Sequence, residues 1–253
     1  MQKSARLLIM LILLAQCSRL FSQTDQQKPE KERKNIIRYN LSGGLLFGID
    51  KYIVFGYERV VNAHQSFSIN IGPASLPKFV TINTDSIHLT KDLKNTGFNL
   101  SADYRFYLSK ENKYNAPHGL YIGPYFSYNR FTRNNQWNYQ QGSNSAQVVT
   151  TNTDFQIFTV GGELGYQFIL WKRLALDFVL VGPGFSHYDL SAGSDGNLSP
   201  ESREQLQDAL KQLISQKFPG MNYVLSDKHF DANGDIRTWS LGYRYMIHIG
   251  FVF

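Results

Sequence analysis

Eight ionisable residues in this 253-residue chain are far apart in sequence but have the right chemistry to pair. Most of them stand between two apolar neighbours, in stretches where apolar and polar residues alternate. A guanidinium and a carboxylate can neutralise each other when they are buried together, and a histidine can carry a proton. The eight residues are Arg38, Glu58, Asp103, Arg105, Glu163, Asp177, Arg244 and His248. Three certain positive charges against four negative ones predict a self-neutralising ion network. The alternative is a gate or a proton path.

A second cluster has the spacing of a calcium loop. Asp231, Asn233 and Asp235 follow the pattern D-x-N-x-D. An EF-hand loop also needs a glycine at its sixth position and an acid at its twelfth. Ile236 and Gly242 occupy those two positions here. The cluster is therefore only a weak calcium candidate, and we expect neither a metal nor a cofactor.

The last fifteen residues, 239–253, indicate which element positions such side chains. Every second residue from Trp239 to Phe253 is apolar or aromatic, and the residues between them are mostly small or polar. A period of two places these two sets on opposite faces of one strand. The apolar face is too long to meet water. The sequence therefore predicts a closing strand with a lipid-facing side.

The same period begins at Ile36 and divides the chain into about eight strands. The predicted long connections are 73–95, 133–153 and 188–236, and the other connections are short or modest. Pro124 cannot donate to a ladder, so we expect a bulge or a local break there. The predicted strands span 37–47, 53–58, 67–72, 98–108, 120–128, 158–168, 174–181 and 239–253.

The sequence therefore predicts an all-β fold, an eight-stranded antiparallel transmembrane up-and-down β-barrel over residues 36–253. Short turns on one side and long extracellular loops on the other place both termini in the periplasm. A soluble β-sandwich also alternates apolar and polar residues. Two features favour the barrel. Aromatic residues cluster near the strand ends, as in interfacial girdles. The side chains on the non-apolar face are too small and too charged to form a core.

The first 35 residues differ in character from the rest. Lys3 and Arg6 precede an apolar run at 7–15, and Ser22-Gln23 is a plausible cleavage site, so residues 1–22 are predicted to be a signal peptide. Residues 23–35 are predicted to be a flexible periplasmic lead. Gln16 before Cys17, the single cysteine, argues against lipidation. No apolar run is long enough for a transmembrane helix. The basic residues form no stripe, so we expect no nucleic-acid partner.

Within the long connection 188–236 the period changes to that of a helix near residues 200–218. Ser199 can cap it, Pro200 suits its first position, and Pro219-Gly220 ends it. One face of this helix is apolar. Its residues are Leu206, Leu210, Leu213, Ile214 and Phe218. This loop helix either closes the mouth of its own barrel, or docks on a partner protein or in the outer leaflet.

With these features the chain resembles small bacterial outer-membrane β-barrels of the OmpA/OmpX type, and more closely the uncharacterised barrels of Bacteroidota. The resemblance rests on the Ser22-Gln23 signal end and on three phrases, residues 55–59 (FGYER), 119–124 (GLYIGP) and 241–253. It implies that the terminal Phe253 belongs to a signal read by the barrel-assembly machinery. Unlike OmpA, the chain has no peptidoglycan-binding domain after the barrel, so cell-wall anchoring is not implied.

The resemblance specifies function poorly. We expect a non-enzymatic outer-membrane protein that has a structural or binding role through its loops, contacts outer-membrane lipid and lipopolysaccharide, and has no open pore. The alternative is an accessory subunit of a larger transport, secretion or barrel-assembly complex. A lipid A-modifying enzyme is a third possibility. Ser186 and His187 lie near the outer rim, but neighbours on a strand point to opposite faces and cannot pair directly.

Overall fold

The fold is formed by residues 34–253. A computed structural model describes residues 33–75, 83–84, 87–139, 147–195, 204, 207–208, 211, 221–225, 228–229 and 234–253. The predicted signal peptide, Cys17 and nearly all of the predicted lead lie outside the described residues. Among the described helices, none is long and apolar enough to cross a membrane.

Eight antiparallel strands form a closed ring in up-and-down order. Apart from β4, each strand pairs with its neighbours in sequence. β1 pairs with β9, and β3 pairs with β5. A two-residue strand, β4, adds to the start of β5. This confirms an all-β fold of eight antiparallel up-and-down strands. The strands are β1 (Asn35–Asn40), β2 (Phe55–Asn62), β3 (Gln65–Pro73), β4 (Asn83–Thr84), β5 (Ile87–Tyr107), β6 (Gly119–Tyr139), β7 (Gln147–Leu170), β8 (Leu174–Asp195) and β9 (Asp235–Val252).

The first predicted strand is wrong beyond Asn40. Residues Leu41–Phe47 form a short helix, α1, instead of continuing the strand. Asn40 caps this helix, because its side-chain oxygen accepts a hydrogen bond from the Gly43 amide at 2.9 Å. Apolar residues at alternate positions fit a strand, but a capping asparagine and close packing of Gly43 on the Tyr52 ring favour the helix. A second short helix, α2, spans Met221–Leu225.

Three predicted loops are partly strand. Strands β5, β6 and β7 have 21, 21 and 24 residues, and they extend into the predicted connections 73–95 and 133–153. Strands β8 and β9 likewise narrow the predicted connection 188–236 to 196–234. In β6 and β7 these extensions are rich in Asn, Thr and Gln, and inward apolar residues such as Phe131 and Phe155 are too widely spaced to give a regular alternation. Their backbones nevertheless pair.

The wall contains local irregularities near its prolines. Strand β6 keeps one register through Pro124, but its ladder to β5 lacks the pairs at Tyr104 and Arg105. The expected disturbance is therefore a local break on one side, without a bulge. Strand β8 changes register between Val179 and Gly182. This shift leaves Val181 facing outward, whereas strict alternation predicts that it faces inward.

The interior of the ring has three layers. An apolar layer around Ile36, Ala175 and Val252 lies at the end where β1 begins and β9 ends. Charged and polar side chains fill the middle. A larger apolar cluster lies at the other end, where α2 contributes Val224 and Leu225. The charged layer is therefore enclosed between two apolar layers.

Candidate functional site

All eight ionisable residues singled out in the sequence lie on the inner face of the ring. Seven of them are buried, and the side chain of Arg244 is one-tenth exposed. Because alternate residues of a strand share a face, strands β1, β2, β5, β7, β8 and β9 each direct one or two of these groups inward. The ring thus brings together residues that are up to 210 positions apart in sequence.

Asp177 is the centre of the network. Its carboxylate accepts hydrogen bonds from Arg38 Nη1 at 3.1 Å, from Arg105 Nη2 at 2.9 Å and from the Tyr121 hydroxyl at 2.7 Å. The Nδ1 atom of His248 lies 3.0 Å from the same carboxylate. One carboxylate from β8 therefore connects side chains from four other strands.

The two arginines also bind the remaining acids of this layer. Arg105 donates to Asp103 at 2.6 Å and lies near Glu58, at 3.5 Å. Arg38 is 3.4 Å from both Glu58 and Asp103. A buried charge is tolerated when its partners compensate its lost hydration. The shared partners explain how two guanidinium groups can be buried side by side.

A second ion pair lies on the side of the network nearer to the large apolar cluster. Arg244 donates through Nε to Glu163 at 3.0 Å, and its guanidinium carbon lies 3.8 Å from the centre of the Tyr125 ring. Its Nη2 atom also approaches Asp103 at 3.6 Å. Arg244 thus links the two parts of the network, while its Nη1 atom has no hydrogen-bond partner among the described residues.

Neutral polar residues, which are not among the eight ionisable residues, complete the network. Gln167 accepts from Arg105 at 2.7 Å, and Ser66 and Tyr107 donate to Glu58 at 2.7 and 3.1 Å. The signal that could have found them was present, because each stands on the polar side of the alternation. Gln167 and Ser66 were missed because they carry no charge, and Tyr107 because a tyrosine in such a strand suggests an outward-facing girdle.

The interior also contains a cavity of about 240 Å³ between the ion network and the large apolar cluster. Polar side chains on β5–β8 line part of it, and Thr159 and Ser186 share a hydrogen bond there, at 2.8 Å. Aromatic residues such as Phe131 and Tyr188 line another part. The first helix and β9 complete the lining through Phe47, Leu46 and the segment from Gly242 to Met246. The cavity is therefore amphipathic.

Ser186 and His187 point to opposite faces of β8. Ser186 is buried in the interior, whereas the His187 ring lies on the outer side against Trp239, with ring centres 4.8 Å apart. The two side chains do not form a nucleophile and base pair with each other.

Several predicted sites fall partly or wholly outside the described residues. Asp231 and Asn233 of the calcium candidate lie there, while the Asp235 carboxylate accepts from Ser191 at 2.6 Å and from Arg237 at 3.1 Å. Within the described ranges, no three His, Cys, Asp or Glu side chains form a group that could hold a metal ion.

The apolar face of the predicted loop helix is also not described. Residues 204, 207, 208 and 211 are helical, as the prediction requires. Docking of this helix on a partner stays a prediction, because all five of its apolar positions lie outside the described residues. They are Leu206, Leu210, Leu213, Ile214 and Phe218.

Phe253 closes the ring beside the start of β1. Its backbone amide donates to the Asn35 carbonyl at 2.8 Å, and its carbonyl accepts from the Asn35 amide at 3.2 Å. Its side chain is about half exposed. The ring closure therefore uses the backbone of the last residue and leaves its aromatic ring accessible.

No protein-family model matches the chain, and no curated protein matches it. The geometry of the ring and its interior is the basis for a functional proposal.

Proposed function

We propose that this chain is a non-enzymatic integral β-barrel of the bacterial outer membrane, with both termini in the periplasm. In this proposal its interior is closed by the ion network, and its outward mouth and loops bind other molecules. The observation that carries the proposal is an inversion of the usual protein arrangement, with buried charges inside the ring and apolar side chains on its outer surface.

The outer surface supports a hydrocarbon environment. Large apolar side chains on all eight strands of the ring point outward at the level of the ion network. Soluble monomeric proteins rarely expose one continuous apolar surface of this extent. A barrel in a bilayer needs an outward apolar band about 25 Å tall. Examples from around the ring are Ile37, Phe55, Ile69, Phe98, Ile122, Phe158, Leu180, Leu241 and Ile249.

The interior supports a closed barrel. An eight-stranded ring has room for side chains and little else. Here the charged layer fills that room, and apolar layers lie at both ends of it. We therefore expect no sustained large conductance when the purified protein is added to planar bilayers. A stable open channel would contradict the closed interior while leaving the membrane location intact.

Fluorescence quenching by brominated lipids tests the membrane location. Trp171 and Trp239 are exposed near opposite ends of the outer surface. After reconstitution into vesicles, bromines near the lipid headgroups should quench both residues more strongly than bromines at the chain ends, because tryptophan in barrels lies at the interfaces. A folded chain, free of its predicted signal peptide, that stayed dispersed in water without detergent would overturn the proposal.

A purification in mild detergent separates this function from the accessory-subunit alternative. A barrel that acts alone should elute without other proteins at a constant ratio. Co-purification of the same subunits at a fixed ratio would favour the accessory role and would leave the barrel architecture unchanged.

A further inference from the structure

The wall of the ring is incomplete as a β-sheet on one side of the cavity. Strand β1 ends at Asn40, opposite His248, so β1 pairs only with the last part of β9. Strand β8 covers the opposite edge of β9 from Asp235 to Phe251. Among the described strands, none pairs with the β1-side edge of β9 before His248. Helix α1 stands at this position instead of a strand.

Side-chain hydrogen bonds join α1 and its cap to this free edge. The Ile247 amide donates to the Ser42 hydroxyl at 3.2 Å, and the Asn40 side-chain amide lies 3.4 Å from the Met246 sulfur. A helix and a strand edge joined by side chains can separate without breaking a backbone ladder. The boundary between α1 and β9 is therefore a part of the wall that can open without breaking a backbone ladder.

The cavity reaches this boundary. Leu46 of α1 and Tyr243 of β9 both line the cavity, and they are 58% and 57% exposed. In contrast, Phe131 and Tyr188 on the side toward the mouth are buried in the large apolar cluster. The cavity is thus covered toward the mouth and bordered by exposed residues at the side, within the apolar outer surface.

The lining selects for one kind of ligand. Among the described residues that line the cavity, Arg244 is the one that carries a charge, and Glu163 already neutralises it. A second buried charge would have no counter-charge there and would be costly. The unused Nη1 donor of Arg244 and the nearby hydroxyls and amides instead suit an uncharged hydrogen-bond acceptor. The aromatic part of the lining suits an apolar chain.

The size of the cavity limits how much of a ligand it holds. At about 30 Å³ per water-sized group, 240 Å³ accommodates about eight such groups. This is enough for a small polar end group and the first carbons of a chain. The rest of a longer chain would extend sideways between α1 and β9.

We propose that the cavity binds the polar end of a single-chain, uncharged amphiphile, such as a monoacylglycerol, which enters sideways between α1 and β9. The inference rests on the proposed membrane location, because only there does the side boundary face hydrocarbon. The ester end lies near Arg244, and the chain passes Leu46 into the bilayer.

Photolabelling in lipid nanodiscs tests this proposal. The probes are two 1-monoacylglycerols that carry a diazirine either next to the ester or at the end of the chain. The probe labelled near the ester should mark inward residues on β6–β8. The probe labelled at the chain end should mark α1 and the outer face of β9. Unlabelled mono-octanoylglycerol should compete with the inward labelling but not with labelling of the outer surface.

Matched variants and a charged probe sharpen the test. Ser127 lines the cavity, and Ser127→Phe should fill it and reduce inward labelling at least about tenfold, whereas Ser127→Ala keeps the volume and should label within about twofold of the original. The free fatty acid with the diazirine at the same carbon should label the interior at least about tenfold less than the ester. Should Ser127→Phe fail to fold, competition in the unmodified chain decides alone.

The two proposals fail in different ways. Heat-modifiable electrophoretic mobility and brominated-lipid quenching report whether the chain is a folded membrane barrel. If both are normal and labelling remains outside, evenly around the ring, the ligand proposal is wrong and the barrel proposal stands. If the acid labels the interior as well as the ester does, the proposed preference for an uncharged group is wrong.

Discussion

At the scale of single residues, the interior depends on carboxylates with several partners each. Asp177 accepts from Arg38, Arg105 and Tyr121 and contacts His248. Removal of one member of a buried charge network leaves the others uncompensated, and this costs more than the network contributes when intact. The positions of the charges could be predicted from alternation. Their partners could not, because pairing across a ring depends on strand register.

Asp177→Asn should destabilise the folded protein by about 3–5 kcal/mol, because two buried guanidinium groups lose a shared counter-charge. The measurement is urea-induced unfolding in lipid vesicles. The matched control is Asp154→Asn, which removes the partner of the exposed Arg130, 2.9 Å away. That change should cost less than about 1 kcal/mol. Equal costs for the two variants would show that the network does not hold the interior together.

His118 provides a prediction about pH outside the strands. It lies before β6, its ring stacks on Tyr114 with centres 4.7 Å apart, and partial burial lowers its pKa from 6.5. The unfolded chain then binds the proton more readily than the folded chain does. The folded protein is therefore more stable above pH 6.5 and loses stability as the pH falls below that value. A histidine NMR titration should place the His118 midpoint below 6.5. A midpoint at or above that value would contradict the burial.

At the scale of elements, the alternation of apolar residues located the strand centres but not their ends. It failed at α1, where Leu41, Gly43, Leu45 and Phe47 fit the pattern of a strand and yet form a helix. It also failed in the parts of β5–β7 beyond the apolar zone, where polar residues outnumber apolar ones and interrupt the alternation. In both cases the deciding interactions were a cap or a backbone ladder. Neither of these leaves a periodic signal in the sequence.

Asn40→Ala should loosen α1, since the helix loses the acceptor for the Gly43 amide. The expected cost is about 0.5–2 kcal/mol, and Asn40→Ser should recover most of it, because serine also caps helices. Limited proteolysis of the segment 41–54 reports the local effect, and urea unfolding reports the cost. If the serine variant were cleaved as fast as the alanine variant, the cap would not be what holds α1 in place.

At the scale of the whole molecule, the ring closes between the first and last strands. The sequence could predict this closure, because an even number of alternating strands returns both termini to one end. It could not predict that five strands are long and three are short. The length of each strand beyond the apolar zone depends on pairing between polar segments.

Phe253→Ala tests whether the terminal aromatic ring acts in assembly in cells or in the stability of the folded protein. The backbone of residue 253 pairs with Asn35, but its ring is about half exposed, so the folded ring should lose little stability. If the terminal aromatic ring is read by the assembly machinery, the heat-modifiable fraction in cell envelopes should fall several-fold while refolding in detergent stays normal. An equal loss in both assays would assign the residue a purely structural role.

The unequal strand lengths make one side of the proposed barrel taller than the other. Strand β6 has 21 residues and β2 has 8, which correspond to about 70 and 26 Å at about 3.3 Å per residue. With a tilt of about 40°, the long strands would project roughly 25 Å beyond a hydrocarbon core of about 30 Å. Antibodies and phage would therefore meet these long strands before they met β1–β3.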